Sequence, residues 1–544
     1  MRRTLSSLLC LVALSGGVAE AQVTDVTLVP RGQLRLQFDP SFTSWNARFG
    51  ERLENGALVT ENEDLASDLT SETGASVFPG LASLEAHIRS LTGNSGFVGI
   101  AGASSAFVSH DVTRIDLGGH LGVFDWLTLG ATVPVMKNRT ALEVAFRPDS
   151  MGGNLGLNPL ISDPGGVNDF LASLEAALGL AQARAASICG TTPGTGACSD
   201  AASLEGQISG FLSTSRNAYS SSALFPMRGS QAARALTDAT TTLDQDLNAA
   251  GLGGLGATMA FASEWITSET FASLPSKGGS GIQGAPLAPI NALWQIGDVE
   301  LTALVRIARG ELRDSGAVAP RLTYSVGAGF LMRLGSGSVD AHDVFLDLGT
   351  GDGQRDFEGR LFGFVGVGER LGLRAGVRYG IQQSLDLLRR VAPPETVTPR
   401  VGTLRAVTWT PASYLGFELE PTWRLSPELS LFGSYRLYSK GVDGYEIFGE
   451  AAPGSVPVDA TDLERESGVT LHQAGFGIRY SSTDGWFAGV HSSPMELHAR
   501  VLYSAAGSGG QTPIAMRVEM GIKIFRGIWG GDAPAPSESM RSNR

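Results

Sequence analysis

Residues 371–381 read LGLRAGVRYGI. Leu371, Leu373, Ala375, Val377, Tyr379 and Ile381 hold the odd positions, while Gly372, Arg374, Gly376, Arg378 and Gly380 hold the even ones. A pleated strand sends successive side chains to opposite faces, so this stretch predicts a β-strand with one apolar face and one face of glycine and arginine. An apolar sheet face must be covered, either by a second protein layer or by lipid. The rest of the chain decides between them.

The N-terminus carries an export address. Arg2 and Arg3 precede an apolar run from Leu8 to Leu14, and Ala19-Glu20-Ala21 gives a small-residue cleavage site before Gln22, so residues 1–21 read as a secretory signal peptide. Beyond it no unbroken apolar stretch reaches about 18 residues, so no membrane-spanning helix is expected. A formal net charge of -13 argues against nucleic acid as a partner. With 71 glycines and apolar residues dispersed by alternation, the exported chain fits an outer-membrane barrel; a large secreted all-β protein is the alternative.

The same alternation recurs along the chain. Leu34, Leu36 and Phe38 oppose Arg35, Gln37 and Asp39, with Pro40 allowing only an edge, a bulge or disturbed pairing beyond. Residues 50–103 read as loop with a short helix around 81–91. Strands at 113–123 and 127–135 flank Phe124-Asp125-Trp126, aromatics suited to a membrane interface. From 297 onward strand follows strand: Val299 to Ile307, Leu322 to Met332, 357–367, 371–381, 415–424, 429–437, 474–480, 495–503 and 514–524. The expected fold is therefore all-β, a transmembrane antiparallel up-and-down barrel of about twelve strands, with short periplasmic turns and long extracellular loops.

Residues 147–296 break the pattern. Val167, Phe170, Leu171, Leu174, Ala177, Leu178 and Ala181 fall at helical spacing, and weaker helical signals occupy 202–212 and 231–247. This predicts a helical insertion, extracellular or plugging the barrel. Cys189 and Cys198 lie within CGTTPGTGAC and, in an exported chain, pair most simply as a disulfide staple. The domain order expected is leader 1–21, strands 1–3 in 22–146, insertion 147–296, strands 4–12 in 297–525, and a periplasmic tail 526–544. Phe525 ends the last strand, out of phase with its apolar set.

The polar faces collect charge. Arg114, Arg306, Arg333, Arg374, Arg378, Arg424, Arg436, Arg479, Arg500 and Arg517 fall on the inner side together with Glu300, Glu418, Glu420 and Glu519. Two readings stand. Charges away from bulk water need partners, which gives a salt-bridge lattice bracing the wall. Alternatively the planar guanidinium forks line a path for an anion or carboxylated solute.

Catalysis and cofactors find little support. His491-Ser492 is adjacent in sequence, which on a strand sends the two side chains to opposite faces, and no matching Asn or Asp accompanies them. The histidines show no metal-binding spacing, and the glycine strings at 363–368 lie inside a strand. DAHDVFLDLGTGDG, 340–353, lacks the ligand spacing of a Ca²⁺ loop and reads as a solvated acidic loop. No enzyme activity, cofactor or metal is expected.

WLTLGATVPV at 126–135, IGDVELTALVRI at 296–307 and the later hairpins resemble the meta-pathway, phenol-degradation type of outer-membrane transporter-like barrels. Pro134 falls one place beyond that family's pattern, and the long helical insertion departs from its compact form. The resemblance implies a passive conduit for small, often hydrophobic or aromatic compounds. The expected partners are outer-membrane lipid, a small solute and the barrel-assembly machinery.

Overall fold

A computed structural model describes residues 28–529 apart from 55–56, 70–73, 76–77, 79, 149, 151, 278–279, 314–320, 395, 397, 453, 488–490 and 492–493. The expected leader and most of the expected tail lie outside the described residues.

Twelve antiparallel strands close into a barrel. They are β1 (Gln33–Glu54), β2 (Ala103–Phe124), β3 (Leu127–Arg147), β4 (Glu300–Leu312), β5 (Leu322–Arg333), β6 (Asp356–Val367), β7 (Leu371–Gln382), β8 (Tyr414–Arg424), β9 (Leu429–Lys440), β10 (Val469–Ser481), β11 (Met495–Ser508) and β12 (Thr512–Gly527). Each pairs with its sequence neighbour, and β1 closes the ring on β12 from Gln33↔Gly527 to Phe49↔Thr512. Closure leaves no unpaired edge, the one way a sheet can cross lipid.

The outer face of β7 is the apolar set of residues 371–381. Leu371, Leu373, Val377, Tyr379 and Ile381 are all exposed, and so are Phe330, Leu361, Leu415, Trp423, Leu431, Phe476, Tyr503, Met516 and Ile522 on other strands. Among the described residues no second layer covers this belt, so its solvent is the membrane. The chain is an outer-membrane barrel. At one end the turns are short: Phe124 and Trp126 stack at 5.3 Å between β2 and β3, and β6 meets β7 through 368–370. At the other end run the long connections 148–299, 334–355, 383–413 and 441–468.

The wall is uneven. β1, β2 and β3 have 22, 22 and 21 residues, whereas β4 to β7 have 13, 12, 12 and 12. Crossing a bilayer takes about 9–11 tilted residues, so the first three strands run well past the membrane at the long-loop end. β1 passes through Pro40, which keeps Ile115 as its partner on β2, and turns into a hairpin with Ala57–Asp64. Residues 50–54 and 57–64 are therefore strand where alternation alone read loop, because cross-strand pairing outweighs the polar composition.

The apolar core of the molecule lies on these extensions, against the inward-phase residues of β2 and β3 at the barrel mouth. Helices α1 (Gly80–Thr92), α2 (Pro164–Thr191), α3 (Gly196–Ser221) and α4 (Gln231–Ala249) bury Leu84, Ile88, Phe170, Leu174, Ile208, Leu236 and Leu247 against Val108 of β2 and Leu142 and Phe146 of β3. Side-chain oxygens cap three of them: Asp163 accepts from Gly166 N–H at 3.1 Å, Thr195 from Cys198 N–H at 3.4 Å, and Ser230 from Ala233 N–H at 3.1 Å. The Cys189–Cys198 disulfide joins the last turn of α2 to the first of α3. The insertion is thus a helical cap built on the tall side of the wall. Tyr219 is buried beneath it, donates to Ala260 O at 2.9 Å, and burial raises its hydroxyl above the ordinary tyrosine range.

Candidate solute path: an ion-pair lattice between two cavities

The polar-phase residues of the strands turn inward, where they meet in two groups of charges. The first joins β2 with β4 to β8. Arg333 Nε donates to Glu300 Oε1 at 3.2 Å, while its Nη1 donates to Asp356 Oδ2 at 3.3 Å and to Tyr414 Oη at 3.0 Å. Glu358 accepts from Tyr414 Oη–H at 2.7 Å, pairs with Arg378 at 3.5 Å and pairs with Arg360. Arg114 reaches Asp116 at 2.8 Å and Glu300 at 3.6 Å.

The second group spans β7 to β12. Glu519 is fully buried between Arg436 at 3.1 Å, Arg517 at 2.8 Å and Arg500. Glu418 lies 3.2 Å from both Arg436 and Arg500. Glu420 takes Arg374 at 3.3 Å and Arg479 at 2.8 Å. Ring faces hold the guanidinium groups from the side: Arg479 sits 4.6 Å over Phe432, and Arg378 5.8 Å over Tyr414.

Most of the inner arginines are therefore paired, as a buried charge requires. Two are not. Arg306, half-buried on β4 toward the short-turn end, and Arg424, exposed at the end of β8, have no ion pair among the described residues. Water reaches both, so neither needs a partner and neither belongs to the lattice. Phe525 faces the interior side opposite Arg35 on β1, which is why it is out of phase with the lipid-facing set.

The 334–355 connection does not extend into solvent. It folds into the barrel mouth, with Leu346, Thr350, Asp352 and Gln354 buried. Asn138 Nδ2 on β3 donates to the carbonyls of Leu348 at 2.6 Å and Gly349 at 3.0 Å, and Thr140 Oγ1 donates to Leu346 O at 3.0 Å. Asp298 accepts from Gly337 N–H at 2.8 Å. A Cβ on Gly351 would lie 2.5 Å from the Asp298 carboxylate, so only glycine lets the loop approach this closely. The acidic stretch 340–353 is thus an inward plug and not a solvated loop. Asp340 pairs with Arg389, Asp347 accepts from Ala341 N–H at 3.2 Å, and Asp352 accepts from Gln382 Nε2 at 3.1 Å.

Two cavities flank this plug. A vestibule of about 180 Å³ opens among the long loops, walled by Phe345, Trp409, Tyr438 and Tyr445 and by Arg389, Arg390 and Lys440. A small sheet of Leu385–Arg390, Leu404–Thr410 and Gly444–Phe448 forms its wall. An inner cavity of about 120 Å³ lies within the barrel, lined by Trp45, Val112, Met136, Asn138, Leu471, Gln473 and Ala515. Arg333 and Asp352 border both.

No family model matches the chain, and no curated protein matches it in sequence. Among solved structures, an outer membrane channel from Pseudomonas putida F1 aligns over 93% of this chain and 100% of its own, at 8% identity and a TM-score of 0.40. The toluene transporter TodX of Pseudomonas putida aligns over 92% of this chain and 90% of its own, at 11% identity and a TM-score of 0.23. The translocator domain of the autotransporter NalP from Neisseria meningitidis covers 92% and 90%, at 8% and 0.27. At these scores the likeness carries no weight for function, which rests on the geometry.

Several residues of the path escape a reading by charge alone. Tyr414, Asn138 and Trp45 are aromatic or neutral, although the strand phase of Tyr414 and Asn138 already assigns both to the inner face. The Cys189–Cys198 pair lies in the cap, away from the lattice. His491 sits 3.4 Å from Glu428 in the β10–β11 and β8–β9 turns, and Ser492 lies outside the described residues.

Proposed function

We propose that the protein is a gated conduit for small solutes across the outer membrane. The observation that carries this reading is the meeting of the vestibule and the inner cavity at Arg333 and Asp352, with the inserted loop 334–355 lining both. A barrel that served as a mere wall has no need of a loop-lined vestibule aligned with a second cavity in its lumen. The long loops and the helical cap lie outside the cell, and both chain ends lie in the periplasm, as the turn lengths suggest. Export by a cleaved leader and insertion by the barrel-assembly machinery belong to the same reading. The resemblance of 126–135 and 296–307 to phenol-degradation transporter-like barrels favours hydrophobic or aromatic cargo, with carboxylated compounds as the charged option.

The paired lattice supports a second reading, a closed structural barrel whose cap binds a partner. Conductance in planar bilayers separates the two. Removing 338–350 withdraws the plug and raises conductance well above that of the intact chain if the protein is a conduit. Folded barrels that stay silent with and without the loop would sink the conduit and leave the closed barrel.

A further inference from the structure

The outer face of the tall strands changes character row by row toward the long loops. Pairing puts β1, β2, β3 and the segment 290–296 side by side, and residues paired across a ladder share a face. One row, Pro40, Ile115, Val135 and Ile296, is apolar. Two residues further along each strand stand Phe42, Thr113 and Lys137. Trp294 adjoins this row, because Gln295 next to it pairs with Met136. The row beyond is polar: Ser44, Asp111, Arg139 and Asn291. Trp294 and Ile296 are 50% and 53% exposed, and Leu293 is 82% exposed.

Strand length fixes where the membrane ends. β3 starts at a short turn, and Leu127 to Val135 are its first nine residues, which matches the about 9–11 tilted residues that cross a bilayer. Lys137 and Arg139 therefore stand at headgroup height, with an indole beside them where amphipathic rings settle. Both line a groove of about 570 Å³ with Phe42, Thr113 and Pro289. Their side chains make no ion pair or hydrogen bond among the described residues. Asp111 faces Arg139 across the ladder, and Glu143 lies four residues farther from the belt. In the two headgroup rows two cations thus stand against one acid.

Uncommitted cations at the rim of an apolar face suit an amphiphile with an anionic head. The apolar row beneath them crosses three strands and the paired segment, about 14 Å at about 4.8 Å per step, which is room for several acyl chains under one head. We propose that this face is a binding site for a phosphorylated glycolipid with more than two acyl chains. A phosphate lies between Lys137 and Arg139, which project from one face two residues, or about 7 Å, apart. The acyl chains cover Ile115, Val135 and Ile296, and Trp294 packs beside the sugar. The site belongs to the leaflet at the long-loop end and asks nothing of the lumen, so it stands apart from the conduit.

The test is lipid titration of the full chain folded in detergent, read by native mass spectrometry. The probes are a bisphosphorylated, six-chain diglucosamine lipid, the same glycolipid without its phosphates, and dioleoylphosphatidylglycerol. Saturable binding of the phosphorylated glycolipid is expected, tighter than that of either other probe. Lys137→Gln and Arg139→Gln should each weaken it about fivefold, while Arg184→Gln, an exposed cation of cap helix α2, should leave it unchanged. Both replacements lie on the outer surface, and a retained heat-modified gel shift checks that the barrel is folded. Equal binding with and without the phosphates overturns the proposal, as does unchanged binding in the folded double variant. Phosphatidylglycerol binding as tightly as the glycolipid overturns it too, in favour of a general surface for anionic lipid. So does an absence of saturable binding.

Discussion

Glu519 on β12 and Arg500 on β11 form a fully buried ion pair across directly facing positions, and Arg436 and Arg517 close on the same carboxylate. Replacing Glu519 by Ala leaves three guanidinium groups facing one another. Removing one partner of a buried pair costs about 3–5 kcal/mol, so Glu519→Ala should unfold at clearly lower urea concentration in lipid vesicles. Arg374→Ala makes the contrast. Its side chain is 31% exposed, and water compensates most of the loss, so its midpoint should shift little.

The lipid-facing phase of β7 predicts a depth profile. Val377 lies mid-strand, whereas Leu371 adjoins the short 368–370 turn. Arginine at the bilayer midplane of a barrel costs about 2–4 kcal/mol, falling to about 0–1 near the interface. Val377→Arg should therefore destabilise the barrel far more than Leu371→Arg in the same vesicle-folding assay. Equal costs would place residues 371–381 at one depth or off the membrane.

Glu466, in the 441–468 connection, borders the vestibule, adopts φ 62° and accepts from Gln511 Nε2 at 2.8 Å. Burial raises its carboxyl above the ordinary range, partly offset by that hydrogen bond and by Arg48. The folded state therefore favours the protonated acid. The stability this adds is complete below the usual carboxylate range and is lost as pH rises through the raised folded value. Hydrogen exchange of the 462–469 amides should accelerate over that rise in the wild type, and Glu466→Gln should flatten the profile.

The disulfide should matter locally. Cys189 and Cys198 are nine residues apart, and closing so short a loop stabilises by about 2–3 kcal/mol. Cys189→Ser with Cys198→Ser should increase proteolysis between α2 and α3 while leaving the heat-modified gel shift of the barrel unchanged. A lost gel shift would mean that cap and barrel fold as one unit.

Alternation gave the barrel strands and their inward faces because lipid on one side and packed charge on the other enforce a strict period of two; β7 and β12 are legible residue by residue. The helices of 147–296 are legible for the same reason at another period. The plug is not. Residues 334–355 carry acids and glycines that composition assigns to solvent, and only long-range bonds from Asn138, Thr140 and Asp298 bring them inside. Arg306 and Arg424 share the inward phase of the lattice but lie where water reaches, a matter of height that phase does not encode.

The uneven wall divides the labour of assembly along the chain. The cap core draws on Leu65 to Leu346, whereas Glu519 finds its ion-pair partners on β9, β11 and β12. Synthesis from the N-terminus thus delivers the whole apolar cluster before the carboxylate that Arg436, Arg500 and Arg517 share. Until β12 pairs with β11, Arg436 and Arg500 share Glu418 without Glu519, and until it meets β1 at Gln33↔Gly527 the ring has two open edges. The last strand therefore does more than seal the seam: its sixteen residues also bring Glu519 to Arg436 and Arg500, so a chain without it lacks both the closing edge and that carboxylate.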